Sequence, residues 1–141
     1  MAATYLLADL AGYYTATGDN GFVALTPARI ADTRFALGFT GLLRTGQPQV
    51  LQVTGTAGVP SDATAAVLNV TGAVPRNVTH IRVFPTTVPA TLPDVSSLNL
   101  VPGRDEANLS ITRTGAGGRI SFYTAAADTD LVVDVFGYFR K

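Results

Sequence analysis

The sequence lacks cysteine and tryptophan and contains a single histidine. Without cysteine the chain can form neither disulfides nor thiolate metal sites, and it has no thiol nucleophile. One histidine cannot form the His cluster of a zinc site, and the sequence nominates no orienting partner or nucleophile for His80. We interpret His80 as an ordinary surface or half-buried side chain. No GxSxG, HExxH or phosphate-loop motif is present, so the sequence predicts no enzyme activity, no metal and no cofactor.

Charge is also scarce. Charged residues make up 14% of the 141 residues, and ten basic side chains balance ten acidic ones. A typical soluble domain carries about 25% charged residues. Neutrality disfavours nucleic acid as a partner, because phosphates require a basic surface, and it disfavours docking to anionic membranes. Because 47% of the residues are hydrophobic, we expect apolar surface to be covered at an interface with another copy or a neighbouring structural protein.

Long apolar runs are missing too. No run approaches the roughly 20 residues that span a bilayer, so membrane insertion is not expected. The first residues lack the basic region of a signal peptide, and Asp9 interrupts their short apolar stretch. We expect the protein to act outside the cell, on a virion or a bacterial cell surface. It would reach that location through an export signal outside this sequence or by another route, such as cell lysis.

What is present is a pattern of short strands rich in Val, Thr, Ile and aromatic residues, punctuated by Gly, Pro, Asp and Asn. The pattern predicts an all-β fold, an antiparallel β-sandwich, jelly roll or barrel of about ten strands. The glycine-rich stretch 115–118 is expected to close a hairpin. The predicted strands cover residues 4–13, 22–25, 29–34, 49–54, 65–71, 79–84, 95–100, 107–112, 119–123 and 130–138.

The two ends of the chain resemble each other. Residues 2–14, which we call the N-terminal copy, align without a gap to residues 127–139, the C-terminal copy. Ala, Thr, Leu, Asp, Gly and Tyr recur in register. We expect the C-terminal copy to complete the sheet of a body at 18–141, and residues 1–17 to form a surplus N-terminal strand joined by a flexible Gly-rich link. A surplus strand is an unpaired edge, so it should add beside its own domain or to a neighbour's sheet.

A weaker internal repeat relates residues 67–70 to residues 97–100 and places Asn69 and Asn99 inside strands. Asparagine is depleted in strands and needs hydrogen-bond partners when it is buried. We therefore predict that both amides cap loop carbonyls or a strand corner from inside the core. The alternative is that they face a carbohydrate.

The most suggestive charged group consists of Arg29, Asp32 and Arg34. Strand alternation predicts that Asp32 and Arg34 share a face and that Arg29 lies opposite. The structural interpretation is a partly buried salt bridge that fixes the first body strand, with Asp134 as a further partner; the functional interpretation is a polar groove for a sugar or acidic ligand. Asp9 occupies the place in the N-terminal copy that Asp134 occupies in the C-terminal copy, so either arginine could serve both carboxylates.

Two further groups have weaker signals. The sequence Asp128-Thr129-Asp130 has oxygen ligands at alternate positions, as some calcium loops do, but it lacks the Gly and distal Glu of an EF-hand loop, so we predict a solvated loop. The aromatic residues at strand ends, which include Tyr13, Tyr14 and Tyr138, could form a platform for a sugar. Such residues more often seal a core or an interface.

The order of motifs resembles a family of repeats in large secreted proteins of actinomycetes. The resemblance covers nearly the whole chain and implies a secreted or surface module, including a stand-alone relative in a phage of such bacteria. The matching stretches are residues 22–34 (ending Ala31-Asp32-Thr33-Arg34), Gly58-Val59-Pro60, residues 65–71 (including Leu68-Asn69-Val70-Thr71), Ser97-Leu98-Asn99, Ala107-Asn108-Leu109 and residues 129–139.

These observations favour a non-catalytic structural module that coats or extends an exterior surface, such as a virion capsid or tail decoration protein or a cell-surface repeat. The alternative is a carbohydrate-binding or adhesion module, for which fold class alone is weak evidence. The candidate assembly or structural residues are Asp9, Tyr13, Tyr14, Arg29, Asp32, Arg34, Asn69, Asn99, Asp134 and Tyr138.

Overall fold

A computed structural model describes residues 8–10, 12–18 and 20–141. In these residues the chain forms eight strands and one short 3-10 helix. The strands are β1 (Gly21–Asp32), β2 (Gln49–Gln52), β3 (Ala65–Ala73), β4 (Thr79–Pro85), β5 (Leu98–Leu100), β6 (Glu106–Arg113), β7 (Arg119–Thr124) and β8 (Asp130–Arg140). The 3-10 helix, η1, covers Thr33–Phe35.

The strands form two four-stranded antiparallel sheets. Sheet 1 has the order β1-β8-β3-β6 and sheet 2 the order β2-β7-β4-β5. The core between them contains alternate side chains from both sheets, among them Leu68, Ile81, Phe122 and Val133, all fully buried. Because successive side chains of a strand point to opposite faces, the remaining alternate residues form the outer face of each sheet. The expected all-β sandwich is confirmed.

The strand count differs from the prediction for two reasons. Residues 22–25 and 29–34 do not form two strands; most of this stretch belongs to the single long strand β1, which bulges between Ala24 and Ala28. In the predicted strand 4–13, the described residues 8–10, 12 and 13 are not in a strand, and residues 1–7 and 11 lie outside the described part of the chain. The predicted surplus strand is therefore not formed by the part that the structure describes.

The hairpin predicted at residues 115–118 is wrong. The strands that this turn joins belong to different sheets, since β6 pairs with β3 and β7 pairs with β2 and β4. The turn crosses the end of the sandwich and packs tightly there: a Cβ on Gly115 would lie 2.1 Å from the carbonyl oxygen of Thr86. Turn chemistry alone does not distinguish a hairpin from such a crossing, because both need glycine at positive φ.

Candidate functional site

Three of the candidate residues lie in one row across the outer face of sheet 1. The strand register places Arg29 of β1 opposite Asp134 of β8, and Asp134 opposite Asn69 of β3. The row continues to Leu109 of β6. Arg29 and Asp134 are 105 positions apart in sequence, so sheet pairing rather than a local sequence pattern brings this row together.

The predicted salt bridge exists. The Nε of Arg29 donates to Oδ1 of Asp134 over 2.9 Å, and Arg29 Nη1 lies 3.3 Å from Oδ2 of Asp32. The pKa of Arg29 is raised, first by the hydrogen bond to Asp134 and then by the charge of that carboxylate. Arg29 thus lies on the same side as Asp32. The expectation that it lies opposite is wrong because the register shifts between Arg29 and Ala31, which interrupts simple alternation.

Asp32 is the buried centre of this network, with a relative exposure of 1%. Its carboxylate accepts from Nε of Arg34 at 2.9 Å, from Nη2 of Arg34 at 2.8 Å and from the Arg34 backbone N–H at 3.2 Å. The last bond caps the start of η1. The pKa of Asp32 is lowered, above all by the side-chain hydrogen bond from Arg34, which outweighs the opposing effect of burial. The network of Arg29, Asp32 and Arg34 therefore fixes the end of β1, as the structural interpretation predicts.

The two asparagines do not occupy the predicted positions. Asn69 is half-buried, and its amide has one long contact, 3.5 Å, to the hydroxyl of Thr71. Asn99 is exposed on β5. Their flanking residues Leu68, Val70, Leu98 and Leu100 fill the core, so alternation turns both amides outward. The prediction that they cap loop carbonyls from inside the core is wrong, and the internal repeat reflects the shared apolar residues.

The aromatic candidates separate into two environments. Tyr138 is 7% exposed and belongs to the core, whereas Tyr13 and Tyr14 are 83% and 80% exposed. The ring of Tyr14 lies 6.2 Å from that of Phe139, which in turn lies 5.4 Å from Phe22. Tyr14 of the N-terminal copy therefore lies near the end of β8, while most of its side chain and that of Tyr13 are exposed to solvent.

Part of the outer face of sheet 1 is apolar. One register row contains Ala24, Gly137, Val67 and Ile111, and the next pairs Phe22 with Phe139. Large hydrophobic side chains are exposed here. They are Phe22 (50%), Phe136 (38%), Leu109 (58%) and Ile111 (40%). We call these four residues the apolar face. Phe136 is the extra residue of a bulge in β8, so simple strand alternation does not predict its exposure.

A shallow open pocket of about 330 Å³ lies beside β4 in sheet 2, and Asp9 lines it together with His80 and Arg82. Arg82 donates through Nε to His80 Nε2 at 3.1 Å and through Nη1 to the Pro93 carbonyl at 2.7 Å. The pKa of His80 is lowered, first by burial and then by the charge of Arg82. In this chain Asp9 thus lies near Arg82, and no ion pair joins it to Arg29 or Arg34 among the described residues.

Arg82 was not among the candidate residues predicted from the sequence. Its guanidinium covers the ring of Tyr123 at 5.6 Å from the centroid. The i, i+2 spacing of His80 and Arg82 on a strand does predict that they share a face. The contact with Tyr123, however, depends on the pairing of β4 with β7, which the sequence leaves open.

The acidic stretch after β7 is not the solvated loop that was predicted. Asp128 accepts from the Thr45 N–H at 2.8 Å and from Nη1 of Arg44 at 3.0 Å, and Asp130 accepts from the Thr33 hydroxyl at 2.6 Å. The pKa of Asp128 is lowered, mainly by the Thr45 N–H. Within residues 8–10, 12–18 and 20–141, no three His, Asp or Glu side chains come together as a metal site.

The described part of the chain has no helix long and apolar enough to span a membrane. No protein-family model matches the chain, and no curated protein matches it significantly.

Proposed function

We infer that this protein is a non-catalytic structural module that assembles with itself on an exterior surface. The observation that carries this proposal is the apolar face. Monomeric soluble proteins rarely expose large contiguous apolar patches, and such patches mark interaction sites. Burial of apolar surface contributes about 25 cal/mol per Å², so covering Phe22, Leu109, Ile111 and Phe136 in an interface would stabilise an assembly.

The charge distribution supports the same function. Two arginines at the end of β1 are held by carboxylates of the same chain: Arg29 by Asp134 and Asp32, and Arg34 by Asp32. Charges paired within the fold attract a highly charged partner less than free ones would. The formal net charge of zero removes long-range repulsion between copies. A second copy of this chain suits such a surface.

The exterior location rests on the resemblance described from the sequence, whose motif order is typical of secreted and surface repeats of actinomycetes. A virion decoration protein and a cell-surface repeat both fit this proposal. In each of them many identical copies lie side by side, so weak self-association of each pair is sufficient.

The alternative carbohydrate-binding function would use the open pocket beside β4. Its neighbouring aromatic ring, Tyr123, is covered by the Arg82 guanidinium rather than open for stacking on a sugar. This arrangement favours the assembly proposal over the carbohydrate-binding one.

Sedimentation velocity over a range of concentrations tests the proposal. We expect mass to rise with concentration, and Leu109→Lys to weaken association by at least tenfold because it places a charge in the apolar face. The control is Val78→Lys, at a residue that is similarly exposed (61%) but lies before β4. A chain that stays monomeric and binds defined glycans in an array would overturn the proposal.

A further inference from the structure

Strand β1 pairs with Leu37 at Asp32, but no described residue forms backbone hydrogen bonds with the free side of its first part, residues 21–28. It is the end strand of sheet 1, so a row of its backbone N–H and C=O groups faces away from β8. Natural edge strands are usually short, charged or covered. The other three end strands have four, three and eight residues, whereas β1 has twelve. Its first eight residues, 21–28, include no charged side chain.

Only part of this edge can accept a further strand. Pro27 has no N–H, so backbone pairing stops there. The stretch Gly21–Thr26 remains, with Phe22 exposed and Val23 half-buried. By contrast, the end strand β6 is tied to the opposite sheet, since the Asn108 amide donates to the Ser97 carbonyl at 2.8 Å.

The chain also contains a segment suited to this edge. The residues that β8 uses against β1 recur in the N-terminal copy. Phe139 stacks on Phe22, Gly137 leaves room for the Phe22 ring, and Asp134 binds Arg29. The corresponding residues of the N-terminal copy are Tyr14, Gly12 and Asp9.

Side chains of neighbouring strands meet on the same face on either side of a strand. A β8-like segment on the free side of β1 would therefore bring an aromatic ring to Phe22 and a glycine to Ala24, in the register that β8 has there.

We propose that the N-terminal copy of one chain adds to the free edge of β1 in a second copy as an additional antiparallel strand, with Tyr14 opposite Phe22 and Gly12 opposite Ala24. This proposal rests on the proposed function and names its partner and contact. In one chain Asp9 lies beside β4, not beside Arg29. The large side chains of Leu10, Tyr13 and Tyr14 are 86%, 83% and 80% exposed there. The addition covers them while pairing the open edge.

Two variants separate the donor segment from the acceptor edge. Ala24→Lys puts a charge on the edge of β1, and Leu10→Lys puts one on the N-terminal copy; both sites are exposed, so both variants should fold. Val50→Lys, on the end strand β2, and Val88→Lys, at an 85% exposed loop residue, are the matched controls. We expect each test variant to weaken self-association at least tenfold in sedimentation velocity, with both controls like wild type.

Mixing decides between donor-to-edge addition and other contacts. Ala24→Lys retains an intact donor and Leu10→Lys an intact edge, so an equimolar mixture should regain a heterodimer that neither variant forms alone. If Leu10→Lys assembles like wild type, or the mixture regains nothing, this proposal is wrong although self-assembly stands; pairing of β1 with β1 would give that result. If wild type itself never associates, the proposed function fails as well.

Discussion

The two copies of one sequence pattern differ in secondary structure and in burial. The C-terminal copy provides most of β8, an inner strand of sheet 1 with a neighbour on each side. The described residues of the N-terminal copy are exposed and not in a strand. Corresponding side chains show the contrast: Val135 is fully buried and Leu10 is 86% exposed, while Tyr138 is 7% and Tyr13 is 83% exposed.

The difference teaches that this pattern does not specify a buried strand by itself. A single strand gains little until its backbone groups and apolar side chains find partners. β8 pairs with β1 on one side and β3 on the other, whereas the described residues of the N-terminal copy pair with no strand. The pattern thus stabilises the fold in β8, whereas its corresponding described residues in the N-terminal copy are exposed to solvent. Paired substitutions at corresponding positions test this account.

The largest difference is expected at the tyrosines. Tyr138→Ala removes a core side chain and should lower the free energy of unfolding by about 3–5 kcal/mol because it leaves a cavity. Tyr13→Ala should change it by less than about 0.5 kcal/mol, as for other exposed residues. Urea unfolding of dilute protein, where association does not contribute, measures both. Similar losses for the two variants would place the N-terminal copy in the core.

The glycines give the next largest difference. A Cβ on Gly137 would lie 2.5 Å from the Phe22 ring and 2.6 Å from the Val23 carbonyl oxygen, but a Cβ on Gly12 would meet nothing within 4 Å. Gly137→Ala should therefore cost about 2–3 kcal/mol through overpacking. Gly12→Ala should be neutral in dilute protein. A tolerated Gly137→Ala would show that β1 can move away from β8 at little cost.

A pH-dependent comparison uses Asp32, which lies in β1 outside both copies, with the exposed Asp9 as its control. The folded-state pKa of Asp32 lies below its value of about 3.9 in the unfolded chain. Its contribution is thus present above about pH 4 and is lost as pH falls through the folded-state pKa. Asp32→Asn should cost about 1–2 kcal/mol at pH 7, since the arginine partners are partly exposed, and less at pH 3. Asp9→Asn should follow wild type throughout. A pH-independent cost at Asp32 would contradict the ion-pair account.

The smallest difference is expected between Asp134 and Asp9. The ion pair of Arg29 with Asp134 is partly exposed, 48% and 22% at the two side chains. Such pairs contribute at most about 1 kcal/mol, so Asp134→Asn should lose less than that. Asp9→Asn should lose nothing in dilute protein. A thermal unfolding series at low and high salt measures the difference, which should shrink with salt.

Much of the fold could be predicted from the sequence. Alternation and β-branched residues predict β3, β4, β7 and β8 to within two residues at each end. Sheet membership could not be predicted in the same way, because pairing depends on contacts far apart in the chain. The turn at residues 115–118 illustrates this, since the same glycines fit a hairpin and a crossing between sheets.

The site was predictable in part. The composition of residues 29–34 predicts the ion pairs of Arg29 and Arg34, and the Asp134 partner was named from the closing strand. The bulge after Arg29 could not be anticipated, because it depends on the register with β8. The exposure of Leu109 and Ile111 could not be predicted from the sequence either. Their alternation indicates a common face, but whether that face is inner or outer depends on β3.

Hydrogen exchange at two protein concentrations tests the central claim most directly, that the N-terminal copy is a β8-like strand that pairs only with a second copy. In dilute protein we expect the amides of residues 8–10 and 12–14 to exchange fast while those of β8 are protected. In concentrated protein, both sets should be protected, and so should the edge of β1. Fast exchange of residues 8–10 and 12–14 at concentrations where the mass has risen would contradict the account.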